Sequence, residues 1–188
     1  MRKIDDGFRA VRREDFVPAE LRSEADIDAP LPIGEGQTIS QPYTVHFMLE
    51  LLDVRKGQKV LDVGSGSGWT TALLAYLVGP NGKVIGVELL PKLVKFGREN
   101  LAKYPHFSNA HIEQAGDKLG WPSGAPYDRI LVSAAAKSLP QDLVDQLSVG
   151  GVMVIPIGSA IERIIKKSPA EVAHESYKGF AFVPLIES

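Results

Sequence analysis

Three acids stand at or just past the ends of apolar runs: Asp62 in Val60–Val63, Glu88 after Val84–Val87, and Asp117 after Ala110–Gln114. Asp62 is followed by Gly64, Gly66 and Gly68 at alternate positions, then by an apolar, helix-forming stretch from Thr70 to Val78. Strand, tight glycine turn, helix, strand and acidic tip form the βαβ pattern that holds a nucleoside. The glycines let backbone approach a ligand, and Glu88, twenty residues past Gly68, offers a carboxylate to ribose hydroxyls. Ala115-Gly116-Asp117 lies where this fold class places an adenine-contacting acid. Taken alone Asp117 is a turn residue; taken with the other two acids it becomes a candidate contact.

The glycine spacing narrows the ligand. Dinucleotide enzymes carry G-x-G-x-x-G, whose third glycine allows close packing at a pyrophosphate. Here Trp69 occupies that place, and a bulky indole leaves poor room for phosphates. No G-x-x-x-x-G-K-[ST] is present either, which argues against a phosphate-cradling loop. The D-x-G-x-G-x-G form from Asp62 to Gly68 resembles the first motif of S-adenosylmethionine-dependent methyltransferases. That resemblance implies Asp62 for the ammonium group of the cofactor and Glu88 for its ribose. It also implies contacts from Gly64, Ser65, Gly66, Gly68, Leu89, Gly116 and Asp117.

These residues need a scaffold, and the chain spells one. Lys59–Val63, Val84–Val87, Ala110–Gln114, Tyr127–Ser133 and Val152–Ile157 read as strands. Between them, Trp69–Val78, the face Leu93, Val94, Gly97, Leu101 and Tyr104, and Leu143–Leu147 read as helical. Strands alternating with helices predict an α/β, doubly wound, mostly parallel sheet. Ile161–Ile165 and Phe180–Val183 are expected as late antiparallel strands. Upstream, a short helix is expected over Phe8–Arg13, and residues 21–36, with Pro30, Pro32, Gly34 and Gly36, as loop. Pro42 suits the first turn of a helix carrying Val45, Met48, Leu49 and Leu52 on one face and closed by Gly57. A single domain is expected, divided into a substrate-side segment (1–42), a cofactor-binding core (43–158) and C-terminal strands (159–188).

Composition excludes several classes. The chain has 188 residues, enough for one well-buried α/β domain. It has no cysteine, which rules out disulfides, thiolate catalysis and cysteine-ligated metals. The net charge of −2 provides no basic field for nucleic acid. Nothing resembles a signal peptide, and no apolar run approaches the ~20 residues that span a bilayer. A cytoplasmic monomer with neither nucleic-acid nor membrane partner is the expectation.

A second element is more specific than the glycine loop. Leu31-Pro32-Ile33-Gly34-Glu35-Gly36-Gln37-Thr38-Ile39-Ser40-Gln41-Pro42 closely resembles the segment that marks the protein-L-isoaspartate O-methyltransferases. The similarity continues through Val60–Ala75, Ala125-Pro126-Tyr127-Asp128, Ala134-Ala135-Ala136 and Pro140. It runs on through Gln146-Leu147, Gly150-Gly151, Pro156-Ile157-Gly158 and Phe182-Val183-Pro184-Leu185. It thus covers nearly the whole chain in the family's order. The resemblance implies a repair enzyme that methylates the free α-carboxylate of isoaspartyl residues, leaving S-adenosyl-L-homocysteine. The ester carries a better leaving group than the free carboxylate: the following backbone nitrogen attacks its carbonyl, methanol departs, and the succinimide that re-forms can open to normal aspartate.

Methyl transfer from a sulfonium to a carboxylate is an in-line displacement. The nucleophile is already anionic and the electrophile already activated, so neither a general base nor a metal is required. Alignment alone is worth roughly 7–11 kcal/mol in well-oriented systems. The four histidines (His46, His106, His111, His174) are scattered without metal-ligand spacing; His46 reads as structural or surface. By resemblance Ser40 is the active-site serine, hydrogen-bonding substrate carboxylate or cofactor; a nucleophilic role would need an adjacent base. Ser40 or Gln41 could equally cap the helix beginning near Pro42. The resemblance further implies that Gln37, Thr38 and Ile39 border the cofactor and that Thr38 and Ile39 line a peptide groove. Ala134, Ala135 and Pro140 would form the opposite wall, although alanines there could simply pack under a helix. Two other readings remain: a non-catalytic module that binds S-adenosylmethionine or S-adenosylhomocysteine, and a methyltransferase for small molecules.

Overall fold

A computed structural model describes residues 2–186. Helix α1 (Arg2–Ala10) leads through two 3-10 turns to strands β1 (Leu31–Gly34) and β2 (Gln37–Ile39). Helix α2 (Pro42–Leu52) precedes the alternating core. The core runs β3 (Lys59–Val63), α3 (Trp69–Val78), β4 (Lys83–Glu88), α4 (Pro91–Leu101), β5 (Ala110–Gln114) and β6 (Tyr127–Val132). Then come α5 (Gln141–Gln146), β7 (Leu147–Ile157), β8 (Ala160–Ser168) and β9 (Glu171–Lys178).

Strands β3 to β9 form one sheet in the order β5-β4-β3-β6-β7-β8-β9. The pairs from β5 to β7 are parallel, and β7–β8 and β8–β9 are antiparallel. Alternation along the strands divides the core into two layers. Val60, Val84, Leu131, Val154 and Ile161 pack with helices α1 to α4. Leu61, Ile85, Ile130, Val132, Met153 and Ile155 pack on the other face with Leu143 and Val144 of α5. The doubly wound, mostly parallel α/β sheet read from the sequence is the observed one.

Five local readings need correction. Helix α2 ends at Leu52, with Asp53 at φ 49° as its cap, rather than at Gly57. Helix α1 ends at Ala10 rather than Arg13, because Ile4, Phe8 and Val11 pack into the core formed with α3. Within the expected loop 21–36, Leu31–Gly34 is a strand, paired with Gln37–Ile39 in a hairpin whose turn holds Gly34, Glu35 and Gly36 at φ of 94°, 52° and 72°. Strand β7 starts at Leu147, with a register shift that absorbs the Gly150-Gly151 pair. The final antiparallel strand is Glu171–Lys178, an exposed edge whose polar residues hide the pattern. Phe180–Val183 is no strand. Gly179 (φ 101°) turns the chain, and the segment crosses to Ala135, bonding it through Val183 and Leu185.

Helix α2 is held at both ends by other elements. Tyr43 N donates to Asp28 Oδ1 at 2.9 Å, and the Gln41 side chain donates to Asp28. The cap therefore comes from Asp28, not from Ser40 or Gln41, neither of which makes a side-chain capping bond. At the other end Arg129 Nε donates to Leu52 O and Arg163 Nε to Leu51 O, both at 2.7 Å.

Candidate active site

The sheet reverses its winding between β3 and β6, so the crevice beyond their carboxyl ends is open to a ligand. A cleft of about 160 Å³, its mouth open to solvent, lies there. Its walls come from the ends of β3 (Val63, Gly64), β4 (Val87, Glu88), β5 (Ala115, Gly116) and β6 (Ser133, Ala134). The β2 segment Gln37–Ser40 and the C-terminal Val183–Ile186 close it. Glu88 and Lys118 are the only charged side chains among the described lining residues. That is a poor set for phosphates and a workable one for an uncharged nucleoside.

The glycines serve different ends. Gly68 starts α3 at φ 89°, and a Cβ there would lie 3.0 Å from Gly97 O and 3.1 Å from Ile112 Cδ1. It is needed for packing. Gly64, at φ 76°, would set a Cβ no nearer than 4.0 Å to its neighbour Ser133. Its bare edge faces open space at the cleft. Gly64 N and Ser65 N both donate to Val87 O, at 2.8 and 3.0 Å, which ties the loop to β4. Ser65 Oγ is buried without a partner in a residue that borders the cleft.

Glu88 is buried but reaches the cleft. Its Oε2 accepts from Gly66 N at 2.8 Å and its Oε1 from Leu90 N at 2.9 Å. Each oxygen keeps a lone pair, so the carboxylate both fixes two loops and remains an acceptor for a diol. Asp62 sits elsewhere. It is fully buried beside the glycine loop and does not border the cleft. Its Oδ2 accepts from Thr70 and Thr71 hydroxyls, each at 2.7 Å, while Oδ1 has no partner. Burial pushes its carboxyl up to about 6, against the two threonine bonds and helped by the charge of Glu88. Its direct role is to hold the first turn of α3. Gly116 borders the cleft and Asp117 does not; Lys118, Leu119 and Gly120 continue the wall instead.

The Gln37–Ser40 segment faces these groups across the cleft. Ser40 is half-buried and lines it with Gln37, Thr38 and Ile39. Ala134 lines it too, but Ala135 spends its backbone on the tail: Ala135 N donates to Val183 O and Leu185 N to Ala135 O, both at 2.8 Å. Pro140 precedes α5 and stays outside. His46 lies on α2 and pairs with Asp5 of α1 at 3.0 Å, a structural bond away from the cleft. Trp69, at the head of α3, borders the cleft and ties in the N-terminal segment: its Nε1 donates to Val11 O, and Phe8 packs edge-on at 5.3 Å.

Several lining residues escaped the sequence reading. Leu90 and Leu93 follow Glu88 and supply an apolar wall; their place after a strand-tip acid was the available signal. Ile33 approaches Gly66, whose Cβ would meet Ile33 Cδ1 at 3.3 Å, because the hairpin folds over the glycine loop. Val183–Ile186 are brought in by the bonds to Ala135, which no local pattern announces. The bare glycine edge, the half-committed Glu88 and the apolar surround fit an adenosyl group.

A cleft at the switch point of this sheet, walled by a glycine turn and a strand-tip acid and poor in charge, fits the methyltransferase class of α/β proteins. The family model described as protein-L-isoaspartate(D-aspartate) O-methyltransferase matches residues 1–188. A protein-L-isoaspartate O-methyltransferase of Methanopyrus kandleri is 45% identical, the match covering 98% of this chain and 83% of that protein. One of Aeropyrum pernix is 48% identical, covering 98% and 73%. Among solved structures, a Plasmodium falciparum protein described as a member of this family, in complex with S-adenosyl-L-homocysteine, superposes with a TM-score of 0.88. It is 28% identical, with 99% of this chain and 91% of that one covered. The chain belongs to the protein-L-isoaspartate(D-aspartate) O-methyltransferase family.

Proposed function

We infer that this chain is a repair methyltransferase that moves a methyl group from S-adenosylmethionine to the free α-carboxylate of L-isoaspartyl residues in damaged proteins and peptides. One observation carries the reading. In a chain matched to the family over its whole length, a single cleft has the glycine turn and Glu88 on one side and Gln37–Ser40 on the other. Glu88 would accept from the ribose hydroxyls, Gly64 to Gly66 would admit the amino-acid portion, and Leu89, Leu90, Leu93 and Gly116 would flank the base. Bound there, S-adenosylmethionine supplies a methyl group already activated on a sulfonium.

The chain's own residues do the rest. Ser40 donates its hydroxyl to the acceptor carboxylate and fixes its approach. No base is needed, because a carboxylate is ionised near neutral pH. Thr38 and Ile39 hold the acceptor's backbone, and Ala134 gives it room. Ile33, Ile39, Leu93 and Leu185 exclude water, which strengthens each polar contact inside. Alignment of this kind is worth roughly 7–11 kcal/mol. A monomer acting in the cytoplasm, without metal, nucleic acid or membrane, completes the proposal; no described helix is long and apolar enough to cross a membrane.

Labelled methyl transfer to an isoaspartyl peptide and to its aspartyl twin tests the proposal. Transfer to the first alone is the expected result. Equal transfer to both would overturn it, and cofactor binding with transfer to neither would favour a binding module.

A further inference from the structure

Arg13 opens the 3-10 turn Arg13–Phe16 and is 6% exposed. Its guanidinium spans two separate stretches of chain. Nη1 donates to Ala25 O at 2.9 Å and Ile27 O at 3.1 Å. Nη2 donates to Ala29 O at 2.7 Å, Ser40 O at 3.0 Å and Ile39 O at 3.5 Å. All five acceptors are carbonyls, so no carboxylate neutralises the charge directly. Asp28 and Asp26 are the acids close enough to act on it; burial outweighs them and lowers the group to about 10, still protonated at neutral pH. The guanidinium also lies 5.4 Å from the centre of the Trp69 ring, and Trp69 borders the cleft.

Ser40 needs such a partner. The ladder of α2 begins with Val45 N donating to Gln41 O, one residue later, so the Ser40 carbonyl falls outside it. Asp28, in the loop whose carbonyls Arg13 gathers, holds Tyr43 N in the first turn. Arg13 and Asp28 thus fix the serine from both sides, through one loop.

We propose that Arg13 is a positioning residue for the methyl acceptor: its fork fixes the Ser40 peptide, and its buried charge draws a substrate carboxylate to the serine. The proposal rests on the function inferred above. Lysine keeps the charge but lacks the planar fork that spans five carbonyls, whereas methionine lacks both. The two substitutions therefore separate the two contributions.

The test measures methylation of an isoaspartyl peptide by wild type, Arg13→Lys and Arg13→Met, with S-adenosylhomocysteine calorimetry counting competent sites. Arg13→Lys should bind the cofactor product with near-normal affinity, keep its KM for peptide, and lose about tenfold to a hundredfold in kcat per site. Arg13→Met should show the same loss with a raised KM; if it does not fold, Arg13→Gln, which keeps N–H donors without the charge, reads the KM in its place, and an unchanged KM there would overturn the role of the charge. A purely structural role would cut the number of sites but leave kcat per site and KM unmoved, and that result would overturn the proposal. Failure of the underlying function is separable, because wild type would then not distinguish the paired peptides.

Discussion

The two walls of the cleft are built differently. The wall proposed for the cofactor consists of the ends of three neighbouring parallel strands and the loops that leave them. Its residues lie close in sequence, and its shape follows from sheet register and glycine turns. The wall proposed for the substrate joins a hairpin outside the main sheet, the entry to α2 and the tail after Gly179. It is held by side chains reaching to backbone: Arg13 to five carbonyls, Asp28 to α2, Arg129 and Arg163 to the end of α2. The first wall inherits the sheet's rigidity. The second has only the rigidity that a few buried polar bonds give it, so single substitutions there should alter chemistry before they alter the fold.

Substitutions can break that comparison at decreasing cost. Glu88→Ala removes the acceptor of two backbone N–H groups and the acceptor proposed for the ribose. Hydrogen bonds to charged groups are worth about 1.5–3 kcal/mol each, so calorimetry should show cofactor affinity lost beyond measurement. Gly68→Ala meets both a positive φ and Gly97 O, and should cost about 2–4 kcal/mol in denaturant unfolding. Gly64→Ala has strain without the clash, about 1–3 kcal/mol, and should weaken cofactor binding more than stability.

Asp62 makes a pH prediction. Its folded pKa of about 6 exceeds the ordinary 3.8, so the folded state binds the proton more tightly. Stability from this group is present at low pH and is lost as pH rises through 6. Asp62→Asn should therefore match wild type near pH 4 and exceed it above pH 7, by at most about 3 kcal/mol. Thermal melts across that range check the sign. Unchanged cofactor affinity in the variant would support a role in holding α3; a large loss would restore the direct contact expected from the motif. Arg129→Met leaves the α2 carbonyls unmet and should cost about 1–3 kcal/mol of stability with cofactor affinity intact. Smallest of all, Glu35→Gln breaks a 2.8 Å pair with Lys92 on the surface and should leave the melting temperature within error.

Legibility in the sequence followed the same division. Val60–Val63, Val84–Glu88 and the glycines between them announced the cofactor side, because strand periodicity and turn chemistry are local. Asp62 was visible as an acid but not as a buried one, since depth depends on Thr70 and Thr71 closing over it. Gln37–Ser40 was legible only through likeness to a family; its own Pro- and Gly-rich surroundings read as loop. Arg13 and Asp28 offered no local pattern that points to Ser40, and the tail, visible through the family likeness at Phe182-Val183-Pro184-Leu185, gave no sign of its bonds to Ala135. Their partners lie tens of residues away, and only the folded chain brings them together. The edge strand β9 was missed for a further reason: polar residues guard it against pairing, which erases the alternation that marks a strand.

One cleft is proposed to bring an adenosyl group at Glu88 and an acceptor carboxylate at Ser40 into line. A crystal structure with S-adenosylhomocysteine and an isoaspartyl peptide tests it most directly. Ribose hydroxyls on Glu88, and the isoaspartyl α-carboxylate within hydrogen-bond reach of Ser40 Oγ and facing the sulfur, are the expected result. A nucleoside bound outside this cleft, or a serine turned away from the peptide, would contradict it.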